Sequence, residues 1–289
     1  MLDTCLTKDD VYIAVKRYNK YHGSGMHIQF VQGREGAALL ELRDRLGTAL
    51  GDEYKWLSMP FLSREDEPEL KGAFRPVMPE SWTKNDREWL SNLDIDDVMR
   101  QYETTIPDFA FVGVFPMDFN HKLSGGKCVS TEMCNFNVAD MWHAGKHRIG
   151  IVMNTDKHNE GGSHWVCCYI GIDPRPHNKI YGMIYYDSVA AAPPKEVVQL
   201  MEDIQRQVSL LHGASLAWPF KCEHNDIRRQ YKGTECGVFV MFFLICCASG
   251  RLNFKHICQS MGRDDDLHTL RKIFFTPLPT YTDTDAKQS

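Results

Sequence analysis

Between Cys236 and Ala248 the chain carries no charged side chain, and the run CGVFVMFFLICCA sets apolar residues at every helical phase. A helix that is apolar all round has no face to offer water, so it lies inside the fold with other elements packed around it. The run is too short to cross a bilayer, which takes about 20 residues, and reads as a core helix. The rest of the chain has to cover it. Its first residue is a cysteine. At a helix N-terminus a thiol meets unpaired backbone N–H groups and the positive end of the helix dipole, an environment that favours thiolate. Gly233 and Gly237 flank it, residues that permit tight turns and the close approach of another chain, so that a substrate can reach the sulfur. Free cysteine also serves as a small core hydrophobe, so the meaning of Cys236 depends on the company it keeps.

The 289 residues suffice for one large domain or two modest ones. Hydrophobic content of 43% and charged content of 25% are those of a soluble globular protein, and a net charge of −5 gives no reason to expect nucleic acid or an anionic membrane as partner. No basic segment followed by an apolar run marks the beginning of the chain for secretion. Of ten cysteines, Cys167 and Cys168 are adjacent, as are Cys246 and Cys247, and no ladder of loop-closing pairs is visible. The expectation is free thiols in a reducing compartment. Cys222 and His224 form only a CxH fragment, so no metal is expected.

Residues 1–85 read as a helical, charged region. A helix opens at Thr7, and a second over 33–50 sets Ala37, Leu40, Leu42 and Leu46 near helical spacing. From 58 to 82, prolines at 60, 68, 76 and 79 among charges indicate an irregular arm. Residues 86–289 form the second region. It opens with a helix in EWLSNLDIDDVMRQYE, capped by Asn92 or Asp94. Runs at 109–119, 148–154, 164–173 and 179–188 have strand length and composition, and SLAWPFKCEHN is a further strand. Residues 194–213 are a helix with Val197, Leu200, Met201, Ile204, Val208 and Leu211 on one stripe and Gly213 at its end. A polar helix near 263–274 and a disordered tail close the chain. The fold class is α+β, a mixed sheet packed on a buried central helix, with a helical N-terminal region.

His164 opens one strand, in GSHW, and Asp187 closes the next, in YYDS. Strands joined by a short connection usually lie side by side, and an antiparallel pair brings these two residues to the same sheet end. There the aspartate can hold the imidazole, and the histidine can take the Cys236 proton. Gln230, on the loop before the cysteine, offers an amide N–H to a developing oxyanion beside the Cys236 backbone N–H. His158, in a polar loop with no strand to position it, is the fallback base. Arg228, Arg229 and Lys232 lie beside the same loop and read as a solvated edge.

GSHW, YYDS and Q-x-x-x-x-x-C-G, in that order, resemble the SUMO-protease/adenovirus-protease superfamily of cysteine proteases, and EWLSNLDIDDV resembles the helix that opens the SUMO-protease catalytic domain. FVGVFPMDF and VMNTDKHNEGGSHWV resemble most the thiol proteases of large cytoplasmic DNA viruses, of African swine fever virus type. The likeness spans roughly residues 88–250. It implies a permuted papain-like core with His164 as general base, Asp187 as its orienter, Gln230 as oxyanion donor and Cys236 as nucleophile. Trp165, next to the histidine, is expected to contact substrate or to wall the imidazole, and Asn154, one strand earlier, to face the substrate cleft or to hold a turn. The implied function is cleavage of a viral structural polyprotein at Gly-Gly or Gly-X sites during virion maturation, by a monomer that needs no cofactor and no membrane, in the virion and host cytoplasm. The alternatives are removal of SUMO or another ubiquitin-like modifier and, with the same residue order, acetyl transfer, for which no phosphate cradle is evident.

Overall fold

Five apolar runs pair into one mixed sheet in the order β1-β2-β3-β4-β5. The strands are Phe109–Pro116, Arg148–Asn154, Trp165–Gly171, Gly182–Tyr186 and Lys221–His224. β1 and β2 run parallel, β2 to β3 and β3 to β4 antiparallel, and β4 and β5 parallel. The computed structural model describes residues 8–48, 56, 59, 61, 75–175, 179–213 and 219–276. Thr7, most of the proline-rich arm and the tail lie outside these, and the helix expected to open at Thr7 is found from Lys8 onward. The chain divides into two compact units, one of residues up to 80 together with those from 274 on, the other spanning Ser81–Ile273.

In the first unit, helices α1 (Lys8–Tyr21) and α2 (Glu35–Leu46) pack on each other. Val11, Ala14, Val15 and Tyr18 meet Ala38, Leu39 and Leu42 in a core that also takes in Trp56 and Phe61. The stripe expected on α2 is rotated: Leu40 is 64% exposed, and Ala38 and Leu39 point inward instead. A short leucine-rich run leaves the inward phase ambiguous until a partner helix chooses it. Gly47 at φ +62° ends α2.

The sheet of the second unit is covered on both faces. Helix α3 (Asn92–Thr105) begins with Ser91, whose side chain accepts from the Asp94 N–H while the Asp94 carboxylate accepts from the Ser91 N–H. Ser91, not Asn92 or Asp94, is therefore the cap, because its extended backbone frees the hydroxyl to reach the first turn. The short helices α4 (Thr131–Cys134) and α5 (Val138–His143) lie in the crossover from β1 to β2. Helix α6 (Lys195–His212) is the crossover from β4 to β5 and lays Val197, Leu200, Met201, Ile204 and Val208 on one sheet face, against Ile151, Val166, Cys168 and Met183.

The apolar run forms helix α7 (Cys236–Ala248) on the opposite face. It packs on β3 and β2, and α3, α8 (Phe254–Ser260) and α9 (Asp264–His268) close around it. Phe243 stacks on Tyr186 at 4.3 Å between ring centroids. Every residue of β3 is buried, which accounts for a strand that reads as a continuous apolar run with no polar alternation. The polar helix expected over 263–274 is two pieces, α9 and the turn Arg271–Phe274.

One cysteine expectation is corrected. Cys128 and Cys134 form a disulfide. The single turn α4, capped by Ser130, folds Cys134 back to within 6.5 Å of Cys128 between Cα atoms. A search for long loop-closing pairs passes over two cysteines six residues apart.

Candidate active site

Antiparallel pairing of β3 and β4 sets Cys167 opposite Tyr186. His164, just before β3, and Asp187, just after β4, therefore project from the same sheet end. His164 Nε2 lies 2.7 Å from Asp187 Oδ1. Asp187 is 2% exposed and the histidine side chain 20%. With Nε2 committed to the carboxylate, Nδ1 is the ring nitrogen that remains for the cysteine. Burial disfavours the imidazolium, but hydrogen bonds to Asp187 and to Cys236 outweigh it and raise the His164 pKa from 6.5 to about 9.

Cys236 is the first residue of α7 and is 2% exposed. Glu235 precedes it and makes no side-chain cap, so no capping side chain takes up the N–H groups of the opening turn. The other free thiols among the described residues are unsuited to nucleophilic work. Burial pushes Cys167, Cys168, Cys222 and Cys247 up, Cys246 to about 11 and Cys258 to about 12. Cys236 alone among them has His164 beside it.

Gln230 is buried at 3% exposure. Its Nε2 donates to Lys232 O at 2.7 Å, and its Oε1 accepts from Ser188 Oγ at 2.5 Å. The loop between Gln230 and Cys236 is gripped from behind. Asp264 accepts from the backbone N–H groups of Tyr231 and Lys232, at 2.9 Å for each closer contact. Glu235, wholly buried, receives Arg271 Nε at 2.9 Å and sits 3.0 Å from His268 Nδ1, with an Arg87 guanidinium nitrogen at 3.8 Å. A carboxylate taken fully out of water is stable only with such partners.

Trp165 is 9% exposed and donates its Nε1–H to Leu90 O at 2.9 Å, which braces the segment leading into α3. Leu90 also fills the space at Gly237, where an added Cβ would stand 2.9 Å from its Cδ1. The close approach that Gly237 permits is thus made by the protein's own Leu90, not by a substrate; only Gly233 borders open space. Asn154 Oδ1 accepts from the N–H groups of Asp156 and Ser163, closing the loop that delivers His164. His158 is drawn elsewhere, with Nδ1 2.7 Å from Asp118 Oδ2.

The sequence reading passed over Ser188, Asn225 and the Glu235 cluster. Asn225 is 1% exposed, accepts the Asp187 N–H at 2.8 Å and donates to the Asp187 carbonyl at 2.7 Å. The available signal was polar residues flanking the end of an otherwise apolar strand. No three His, Cys, Asp or Glu side chains among the described residues come together to hold a metal ion.

The family model of the Ulp1 protease family, C-terminal catalytic domain, matches residues 127–275, more than half of the chain and the part that carries all four residues. The chain belongs to the Ulp1 protease family. It is a cysteine protease, a hydrolase, of SUMO-protease-like type. A thiol protease of Acanthamoeba polyphaga mimivirus is 26% identical over 298 residues, 96% of this chain and 91% of that protein. The cysteine protease of African swine fever virus is 22% identical over 213 residues, 72% of this chain and 73% of that protein. The crystal structure of the African swine fever virus protease superposes with a TM-score of 0.60 at 18% identity, covering 95% of this chain and 92% of that one, which establishes the shared fold.

Proposed function

We propose that the chain is an endopeptidase that cleaves a viral structural polyprotein at Gly-Gly or Gly-X sites during virion maturation, acting in the virion and host cytoplasm. The observation that carries the chemistry is the line Asp187, His164, Cys236, with Gln230 buried on the loop that leads to Cys236. Asp187 holds Nε2, so His164 takes the Cys236 proton on Nδ1 and the sulfur attacks the scissile carbonyl carbon. The carbonyl oxygen, now negative, is met by the Gln230 Nε2–H left over from Lys232 and by the Cys236 backbone N–H. Collapse expels the amine, which takes the proton from His164 and leaves a thioester. Water, deprotonated by the same nitrogen, then releases the acid and restores the thiol.

The depth of the nucleophile favours glycine. A cysteine only 2% exposed is reached by a narrow extended chain, not by one carrying bulky side chains at the scissile bond. The viral relatives favour the polyprotein substrate. Removal of a ubiquitin-like modifier, which also ends in glycine, is the second reading, supported by the family and by relatives named SUMO-1 cysteine protease.

Intact mass after incubation with electrophilic probes separates the two. A short Gly-Gly vinyl sulfone should add to Cys236 of the wild type and not to Cys236→Ala. Adduct formation only by full-length SUMO or ubiquitin carrying the same warhead would make the enzyme a deconjugase, and no adduct with any probe would remove Cys236 from the nucleophile's role.

A further inference from the structure

Two consecutive residues leave the end of β4, and the chemistry proposed above uses only the first. Asp187 holds His164. Ser188 has no part in it, yet it is 0% exposed. A hydroxyl so far from water is expensive unless its hydrogen bond is made. Ser188 makes it to Gln230, Oγ to Oε1, at 2.5 Å.

The direction of that bond follows from its neighbours. The Lys232 carbonyl can only accept, and it takes the amide at 2.7 Å, so the nitrogen end of Gln230 must face Lys232. The oxygen end then faces Ser188, and Ser188 must donate. The Ser188 carbonyl in turn accepts from the backbone N–H groups of Arg229 and Gln230, each at 2.9 Å. Residue 230 is thus held by residue 188 at both main chain and side chain. Asn225 fixes the same turn from the other side through the Asp187 N–H and carbonyl.

We infer that Ser188 is the positioning residue that aims the Gln230 amide, so that one turn, Asp187–Ser188, sets both the imidazole and the oxyanion donor. The inference rests on the reading of Gln230 as that donor. An amide anchored at both ends keeps one Nε2–H directed at the site of developing charge. Anchored at Lys232 alone it can rotate, and in the flipped state it presents its carbonyl oxygen to a forming oxyanion, which repels it.

A double-mutant cycle tests this, with kcat and KM measured on a Gly-Gly peptide. Ser188→Ala should lower kcat, by less than the roughly hundred- to thousandfold that loss of an oxyanion donor itself costs, with KM little changed. In the Gln230→Ala background the same substitution should cost nothing further. Ser188→Cys, which keeps the bulk with a weaker donor, should fall between and serves if the alanine variant folds poorly. An equal loss in both backgrounds would overturn the inference, because the hydroxyl would then act on something other than Gln230. So would a shift in the pH profile, which would route its effect through Asp187 and His164. If Gln230→Ala itself left kcat intact, the oxyanion reading would fail first, and that result is distinct from either of the others.

Discussion

Two histidine–aspartate pairs of the second unit look alike at close range. His164 and Asp187 meet at 2.7 Å, and so do His158 and Asp118. The difference lies around them. Asp187 is buried to 2% and held by Asn225, and the second nitrogen of His164 has Cys236 for a neighbour. Asp118 keeps 15% of its side-chain surface, and the His158 side chain keeps 34%. Asp118 accepts both the backbone N–H and the ring of His158, as a loop clasp does. A histidine–carboxylate contact therefore does not by itself define catalysis. What defines it is a nucleophile on the far side of the ring.

The largest contrast should come from that nucleophile. Cys236→Ala should abolish peptide cleavage with the melting temperature nearly unchanged, whereas His158→Gln should leave kcat/KM within about twofold. Residual turnover by Cys236→Ala would put the nucleophile elsewhere. At the carboxylates, Asp187→Ala should cost roughly a hundred- to ten-thousandfold in kcat/KM, because the imidazole loses both its orientation and its charge partner. Asp118→Ala should cost activity nothing measurable. Comparable losses from the two would erase the distinction between the pairs.

The pairs also differ in the pH range over which they stabilise the fold. The His164 pKa is raised, from 6.5 to about 9. Its contribution is complete below pH 6.5 and is lost as pH climbs through 9. For Asp118, burial works against ionisation but the His158 hydrogen bonds prevail, and its pKa falls below 3.8. That contribution is present above pH 3.8 and is lost as pH drops through the lower folded value. Urea midpoints of the wild type against His164→Gln should therefore converge on the alkaline side, and those against Asp118→Asn on the acid side. Both converging on the same side would contradict the assignment.

Much of the site was legible because it follows from chain order and strand pairing. A helix apolar at every phase has one place to go, and two short-linked strands bring the residue before one beside the residue after the other. His164, Asp187 and Cys236 needed no more than that. The supporting residues were not legible, because each depends on a meeting of segments distant in the chain. Glu235 is stabilised by Arg87 and Arg271, and Asp187 by Asn225. Asn154 was legible only as a choice between two roles. Its position one strand before the histidine suited either the cleft or a turn, and its Oδ1 accepts from the N–H groups of its own loop. Cys128 and Cys134 bear no pattern at all until the turn between them forms.

The Glu235 cluster, another meeting of histidine and carboxylate, sharpens the contrast from the side of stability. Arg271 is 4% exposed, stacks over Trp82 with its guanidinium carbon 4.5 Å from the ring centroid, and donates to Glu235. Arg271→Ala leaves a buried carboxylate short of a partner and should cost about 3–5 kcal/mol in urea unfolding. Arg271→Ala and Glu235→Gln together should recover part of that loss, since the unpaired charge is then gone. A small cost for Arg271→Ala alone would mean that Arg87 and His268 suffice.

The smallest effect concerns the turn that carries the catalytic carboxylate. Ala190, at φ +61°, is the one described residue other than glycine with positive φ. The turn forces it there: the Val189 N–H donates to Asp187 Oδ1 at 2.9 Å and the Ala190 N–H to the Asp187 carbonyl at 2.9 Å, so the chain reverses around Asp187 with no freedom left at residue 190. An alanine in the left-handed region is strained by about 1 kcal/mol or somewhat more, while glycine is unstrained there but costs more chain entropy to fix. Ala190→Gly should therefore raise stability by at most about 1 kcal/mol in urea unfolding. The hydrogen bonds at Asp187 persist, so kcat should not rise. A clear loss of stability would show that the chain entropy of glycine outweighs the strain it relieves at residue 190.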